Sequence, residues 1–255
     1  MTRIGIAGAG RMGQAIADLV ALSDDLELAG IWARAPETVR GALVSSDTYI
    51  GDDLNEVVAL SDVLIDFSLP EATAAVCRAL SQSPKPMVCG VSGLDDGQLS
   101  SLSKLGETMP LVYDRNMSIG IAVMARVVAE AASALGPDFR VSIDETHHVH
   151  KKDAPSGTAL KLGEAVAASR EQDFDAVMAY QRDRQDSGDI LFRVERRGEV
   201  PGEHAVTFEN PSESLAFAHS VTTRDVFAHG AVRAARWVSE QQNGVYTMQD
   251  VLFDR

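Results

Sequence analysis

Gly8-Ala9-Gly10-Arg11-Met12-Gly13 follows Ile4-Gly5-Ile6-Ala7 directly and leads into Met12–Leu22, where Ile16, Leu19 and Val20 recur at helical spacing. A short apolar run, a G-x-G-x-x-G turn and an amphipathic helix are the opening of a dinucleotide-binding βα unit. The first glycine permits the tight turn, the second lets a pyrophosphate approach the backbone, and the third lets helix pack on strand. The phosphates then rest on free N–H groups at the helix start. A glycine-rich turn alone has a plain structural reading; what favours the dinucleotide is its place in the first strand–helix turn of an alternating chain.

The alternation continues outward from that turn. Leu26–Trp32, Val63–Phe67, Met87–Val91 and Leu111–Tyr113 read as further short strands, with helices over Glu71–Leu80 and Asp95–Leu105 between them. Pro70 and Gly97 near helix starts fit this. Strands alternating with helices predict an α/β fold with a doubly wound parallel sheet. After residue 118 the pattern changes. Ile119–Leu135 reads as a long Ala-rich helix, Arg140 to about Val149 as a strand, and Ser156–Ser169 as a helix. Leu191–Arg197, Ala205–Glu209 and Leu215–Thr222 alternate as a mostly antiparallel sheet would, and Phe227–Glu240 returns to helix. The polar run Gln181–Asp189 reads as a surface loop. The expected organisation is a dinucleotide-binding domain over 1–118, joined again by 226–255, and a smaller α+β domain over 119–225.

Net charge sets limits on partners. The 255 residues carry 23 Lys+Arg against 37 Asp+Glu, a net charge of −14. That argues against nucleic acid and anionic membranes, which need a basic surface, and leaves an anionic small molecule possible through a local positive cluster. No stretch reaches the ~18 uninterrupted apolar residues of a membrane span, and the start lacks the pattern of a secretory leader. A cytoplasmic protein is expected. Cys77 and Cys89 sit in apolar runs and read as buried reduced thiols.

At the end of the second strand a site for NADH usually carries an acid for the ribose 2′-OH. Here Ile31-Trp32-Ala33-Arg34 has none. Arg34, with Arg11, is either a partner for the 2′-phosphate of NADPH or a solvated loop charge. The first reading is preferred, with use of NADH left open.

The chemistry concentrates in Glu145-Thr146-His147-His148-Val149-His150-Lys151-Lys152-Asp153-Ala154-Pro155-Ser156-Gly157-Thr158-Ala159. A helix start bearing hydroxyls cradles a carboxylate. Lysine adds a point charge or a proton, and histidine titrates near neutrality. Three histidines also suggest a metal, but neighbours on a strand point to opposite faces and no ligand spacing accompanies them, so no metal is expected. His150 has a bland structural reading, and Ser156 one as an ordinary N-cap. Ser-His-Asp hydrolysis lacks its G-x-S-x-G elbow; Val91-Ser92-Gly93 is better suited to lining a cofactor pocket.

This segment closely resembles the signature of the dihydrodipicolinate reductases, and the resemblance extends over essentially the whole chain. Asp66-Phe67-Ser68, Gly90-Val91-Ser92-Gly93, Asn116-Met117-Ser118, Gly202-Glu203-His204 and Phe227–Arg233 resemble further turns, strands and the closing helix of that family. The resemblance implies a Rossmann first domain, a second domain that binds substrate and assembles a homotetramer, and reduction of 4-hydroxy-tetrahydrodipicolinate by NADPH or NADH in lysine and diaminopimelate synthesis. It implies His147 as acid/base and Lys151 as its catalytic partner and proton donor. His148, Ser156, Gly157 and Thr158 would bind the dicarboxylate. Gly8, Ala9, Gly10, Arg11, Met12 and Gly13, then Gly90, Val91 and Ser92, then Asp114, Arg115, Asn116 and Met117, would line the cofactor. The glycine loop is one residue shorter than the family's usual G-x-G-G-R-M-G, and Gly90–Gly93 replaces a G-T-T-G turn. Asn116-Met117-Ser118 stands for N-F-S, and Asp114-Arg115 for small residues. Two other readings are a reductase of another amino or imino acid, like aspartate dehydrogenase, and a cofactor sensor without turnover.

Overall fold

The structure is a computed structural model that describes residues 1–39, 48–180 and 188–253. Most of the polar run 181–189 therefore lies outside the described residues. The chain divides into two compact units, Met1–Ile119 with Asp225–Arg255, and Gly120–Arg224.

The first unit opens with β1 (Thr2–Ala7), α1 (Arg11–Ala21) and β2 (Leu26–Trp32), then β3 (Tyr49–Gly51), α2 (Leu54–Leu60) and β4 (Val63–Asp66). Next come α3 (Pro70–Gln82), β5 (Met87–Cys89), α4 (Asp96–Gly106) and β6 (Pro110–Tyr113). The strands of the sheet's middle are built on continuous apolar runs, broken only at their ends by Thr2 and Arg3 of β1 and Asp66 of β4. Ile4 and Ile6 of β1, Val63, Leu64 and Ile65 of β4, and Met87 and Val88 of β5 are all fully buried. Continuous apolar runs are what a parallel sheet covered on both faces requires. Helix starts follow local chemistry. Asp53 accepts from Asn55 N to cap α2, Pro70 opens α3, and Asp95 and Gln98 form a reciprocal capping box on α4.

The second unit holds α5 (Ile119–Leu135), which begins at the boundary, then β7 (Arg140–His147), α6 (Gly157–Ser169), α7 (Phe174–Val177) and β8 (Met178–Tyr180). It is completed by β9 (Ile190–Arg196), β10 (Glu203–Glu209) and β11 (Ser214–Ser220). Its sheet runs β11-β10-β7-β9-β8. The expectation of a mostly antiparallel sheet holds on one side only. β10 is antiparallel to both β7 and β11, but β7 with β9, and β9 with β8, are parallel. The cause is α6, which lies between β7 and β9 in sequence and supplies the crossover a parallel pair needs.

The chain ends with α8 (Asp225–Val238), β12 (Gly244–Tyr246) and α9 (Met248–Leu252), all counted in the first unit. Arg236 of α8 grips Asp25 with two bonds of 2.7 and 2.8 Å. A Cβ on Gly230 would overlap the carbonyl oxygen of Met117, so a glycine here lets α8 lie against that backbone. β12 adds a parallel edge strand to β6. The first sheet is thus ordered β3-β2-β1-β4-β5-β6-β12. The order reverses direction between β1 and β4, which in doubly wound sheets opens a crevice at the strands' carboxyl ends. No helix among the described residues is long and apolar enough to cross a membrane.

Candidate active site

In the first unit the glycine turn lies at that reversal. Gly8 has φ +103°, and a Cβ on it would come within 2.9 Å of Phe67 O and of Ser68 N and Cα at the end of β4. A Cβ on Gly13 would overlap the carbonyl oxygen of Gly8, so the third glycine lets α1 begin tight against the turn. Gly10 is the N-cap of α1, has no capping side chain, and among the described residues has nothing within 4 Å of where its Cβ would be. Open space in front of an uncapped helix start fits a pyrophosphate on the first-turn N–H groups.

The other residues expected to line a cofactor lie at the ends of neighbouring strands. Arg34 is exposed just past β2, with Arg11 exposed at the start of α1. Gly90 follows β5, where a Cβ would collide with the Phe67 ring. Val91 is buried. Asp114 follows β6, and its carboxylate accepts from Asn116 N at 3.1 Å and from Met248 N at 3.3 Å, which ties the β6 turn to the start of α9. Met117 is 1% exposed, so its side chain belongs to the core.

In the second unit the site grows out of a packed sheet face. Period-two alternation puts Val141, Ile143, Glu145 and His147 of β7 on one side. Their neighbours in register are Ile190, Phe192, Val194 and Arg196 on β9, and Phe208, Val206 and His204 on β10 opposite Val141, Ile143 and Glu145. The first two rows are apolar core. The next two turn polar at the carboxyl end of β7, where the chain leaves for α6.

Glu145 is the hub of the polar rows. It is 2% exposed. Both its oxygens lie 3.1 Å from Ser156 N, and Arg196 Nη1 and Nη2 each lie 3.3 Å from Oε1. Arg196 also donates to the carbonyls of Lys151, Asp153 and Glu195. Oε2 lies 3.5 Å from His147 Nδ1 and 3.8 Å from His204 Nε2. The two imidazoles meet edge to face, centroids 5.0 Å apart. His204 Nε2 is 3.2 Å from Ser156 Oγ, which accepts from Ala159 N as the N-cap of α6. Ser156 is therefore both the cap and a member of the buried network.

Burial dominates the protonation of both histidines. It lowers His147 to about 4, with Glu145 pulling upward and Lys151 and Arg196 adding to the fall. It lowers His204 to about 3, helped by His147. Both are neutral at pH 7. Around them, Lys151 Nζ contacts Asp153 Oδ2 at 2.8 Å, and Thr158 is buried in the first turn of α6. His150 is exposed and lies 3.4 Å from Glu199 Oε1, away from Glu145 in its partners. The structure thus joins His147 and Ser156 through Glu145, ties the Lys151 carbonyl to the same Arg196 while its ammonium pairs with Asp153, and leaves His150 on the surface.

Glu145, His147 and His204 have ligand atoms within 4.8 Å of one another. Their carboxylate already neutralises Arg196, and a second cation beside that guanidinium would be repelled, so the donor set suits a hydrogen-bonded acid better than a metal. Sequence reasoning assigned no role to Glu145, Arg196 or His204. The available signal was the register of β10 on β7, which sets His204 directly opposite Glu145.

A strand order with glycines at its reversal, and a separate unit carrying buried histidines beside a buried carboxylate, fit a nicotinamide-dinucleotide oxidoreductase. The family model described as dihydrodipicolinate reductase, N-terminus, matches residues 2–117, and that of the C-terminus matches residues 120–252. A 4-hydroxy-tetrahydrodipicolinate reductase of Sulfurimonas denitrificans is 36% identical over 260 residues, covering 99% of each chain. The enzyme of that name from Alkalilimnicola ehrlichii is 40% identical over 266 residues, covering 98% of each. A solved dipicolinate-bound dihydrodipicolinate reductase from Paenisporosarcina sp. TG-14 shares the fold, with TM-score 0.79, 23% identity, and coverage of 98% of this chain and 99% of that one. The chain belongs to the dihydrodipicolinate reductase family.

Proposed function

We propose that this chain reduces 4-hydroxy-tetrahydrodipicolinate, after loss of water, with a reduced nicotinamide dinucleotide, the reductase step of lysine and diaminopimelate synthesis. The observation that carries the reading is the convergence of His147, Lys151 and Ser156 at the end of β7 and the start of α6, in a chain matched by its relatives from end to end.

The glycine turn at Gly8–Gly13 holds the dinucleotide's pyrophosphate, with Arg34 and Arg11 available to a 2′-phosphate; NADPH is the preferred cofactor and NADH a second one. When bound, the reduced nicotinamide supplies hydride. The chain's own residues do the rest. Lys151 and the first turn of α6, Ser156 through Thr158 with His148 nearby, hold the substrate's carboxylates and fix the ring. One carbon of the ring double bond takes the hydride and its neighbour takes a proton from His147. A neutral His147 becomes that donor because a dianionic substrate beside it favours the imidazolium. Lys151 is the neighbouring proton source. A homotetramer built through the second unit belongs to the same reading, supported by Leu215, which is 42% exposed on the edge strand β11.

The test mixes purified protein with enzymatically generated substrate and follows loss of the reduced cofactor's near-ultraviolet absorbance, with NADH and NADPH in parallel. Turnover with wild type and its loss in His147→Gln is expected. No turnover with either cofactor, or a His147→Gln enzyme of near-normal rate and KM, would refute the reading.

A further inference from the structure

His147 turns Nδ1 into the protein, and the group it meets there is Glu145. The nitrogen is buried and has no hydrogen-bond partner, yet it lies only 3.5 Å from Oε2. At that distance the pair is a charge contact, a few tenths of an ångström short of a hydrogen bond. The carboxylate is held from its other sides. Ser156 N bonds both oxygens, and Arg196 grips Oε1 while tying down the carbonyls of Lys151 and Asp153. Val141 and Ile143 continue the same strand face as plain core. Burying an acid there instead carries a desolvation cost that only specific partners offset. The arrangement holds Oε2 in one place, against the ring of His147. The other edge of that ring, Nε2, runs past Gly202, where a Cβ would stand only 3.3 Å away, so glycine keeps a side chain of its own off that edge.

We propose that Glu145 is the positioning residue for His147: its Oε2 takes the Nδ1 proton in a hydrogen bond, which leaves Nε2 as the proton-transferring atom, while Arg196 clamps the carboxylate. The inference rests on the acid–base reading of His147 given above. The pairing decides the tautomer, since the ring nitrogen that holds a proton is set by the bond the other nitrogen makes. It also favours the imidazolium when the proton is needed. The charged and titratable groups around His147 are Glu145 on its own strand, Arg196 on β9, His204 on β10, and Lys151 and Asp153 on the loop.

The experiment uses the full chain with its cofactor. Glu145→Gln keeps an acceptor for Ser156 N and removes the charge. It should lower kcat on the order of a hundredfold, the lower end of what a positioned acid supplies, with KM changed less than about threefold. The alkaline limb of its pH–rate profile, where His147 loses the proton it donates, should move to lower pH, because the group that raises His147 is gone. In a His147→Gln background Glu145→Gln should have no further effect, because a residue that acts through another is silent once the other is removed. Nitrogen NMR of the His147 ring, assigned by its loss in His147→Gln, should show a proton on Nδ1 in wild type.

The inference is overturned if Glu145→Gln slows the His147→Gln enzyme by the same factor as wild type, if the alkaline limb stays in place, or if Nδ1 of wild type carries no proton. Should Glu145→Gln fail to fold, Glu145→Asp in the same cycle and the wild-type NMR decide. A His147→Gln enzyme of normal rate sinks the acid–base reading instead, and the NMR still reports on the pairing.

Discussion

Asp66 ends β4 with its side chain fully buried, immediately before the turn that backs Gly8. Oδ1 accepts from Ser68 N at 2.9 Å, while Oδ2 is buried without a hydrogen-bond partner. Burial disfavours the charged form and raises the pKa from 3.8 to about 6, against a smaller downward pull from the Ser68 bonds. The folded value lies above the unfolded one. The stabilising contribution of the neutral acid is therefore complete below the unfolded pKa and is lost as pH rises through the folded one. The difference between the two values amounts to about 3 kcal/mol, of which about 2 kcal/mol is lost between pH 4.5 and pH 7.5.

Asp66→Asn isolates that quantity. Its amide oxygen still accepts from Ser68 N, and it does not titrate. Its amide nitrogen takes a buried place with no acceptor, at a cost of about 1–3 kcal/mol that does not depend on pH. Urea unfolding of both proteins at the two pH values gives four free energies. The wild type's advantage over the variant should be larger at pH 4.5 than at pH 7.5 by about 2 kcal/mol. The histidines and surface acids titrate in both proteins and cancel in the difference. An advantage constant within about 0.5 kcal/mol, the scatter expected of independent sites, would refute the burial argument.

Gly8→Ala forces a Cβ at positive φ into the Phe67–Ser68 backbone, so NADPH affinity measured by fluorescence titration should fall at least about tenfold. Arg34→Ala should raise the KM for NADPH about tenfold, the loss of one charged hydrogen bond, and leave that for NADH unchanged; equal effects on both would dismiss the 2′-phosphate contact. His204, lowered by burial to about 3, stays neutral in the fold while the unfolded chain takes up a proton below 6.5. Stability should fall by about 2 kcal/mol between pH 7 and pH 5 on this account, and His204→Gln should remove that slope in urea titrations. Gly230→Ala drives a Cβ into the Met117 carbonyl and should destabilise the first unit by about 3 kcal/mol, the upper end of the overpacking range. Retention of wild-type urea resistance would show that α8 can shift without cost.

The readable parts of the chain are those whose causes lie close together in sequence. β1, the glycine turn and α1 occupy one uninterrupted stretch, and each glycine's task follows from its neighbours along the chain. The histidine–lysine–serine segment is legible for the same reason, since one strand end and one helix start carry most of its chemistry. Short elements escaped. β3, β8 and β12 have three residues each, too few to display a period. α2 was within reach, because Asp53 caps it and Leu54, Val57 and Val58 face one way. The direction of β9 was within reach too: a helix between two strands is the condition for a parallel pair, and alternation of side chains says nothing about direction.

What no linear reading reaches is the gradient along one sheet face. Val141, Ile143, Glu145 and His147 follow one another at period two, and the sequence alone shows a strand that grows polar. Only the pairing explains why an acid can be buried there. Arg196 arrives from β9, His204 from β10 and Ser156 N from the start of α6, each from a different part of the chain. Ser156 is legible as the start of a helix, but Arg196 and His204 carry no recognisable signal by themselves, because a single arginine or histidine is common on any surface. Together they make burial of Glu145 tolerable, and the buried Glu145 is what stands against Nδ1 of His147. The core that stabilises the second unit therefore extends without a break into the groups assigned to proton transfer. A substitution at Arg196 should consequently disturb both stability and turnover, whereas one at the exposed His150 should disturb neither.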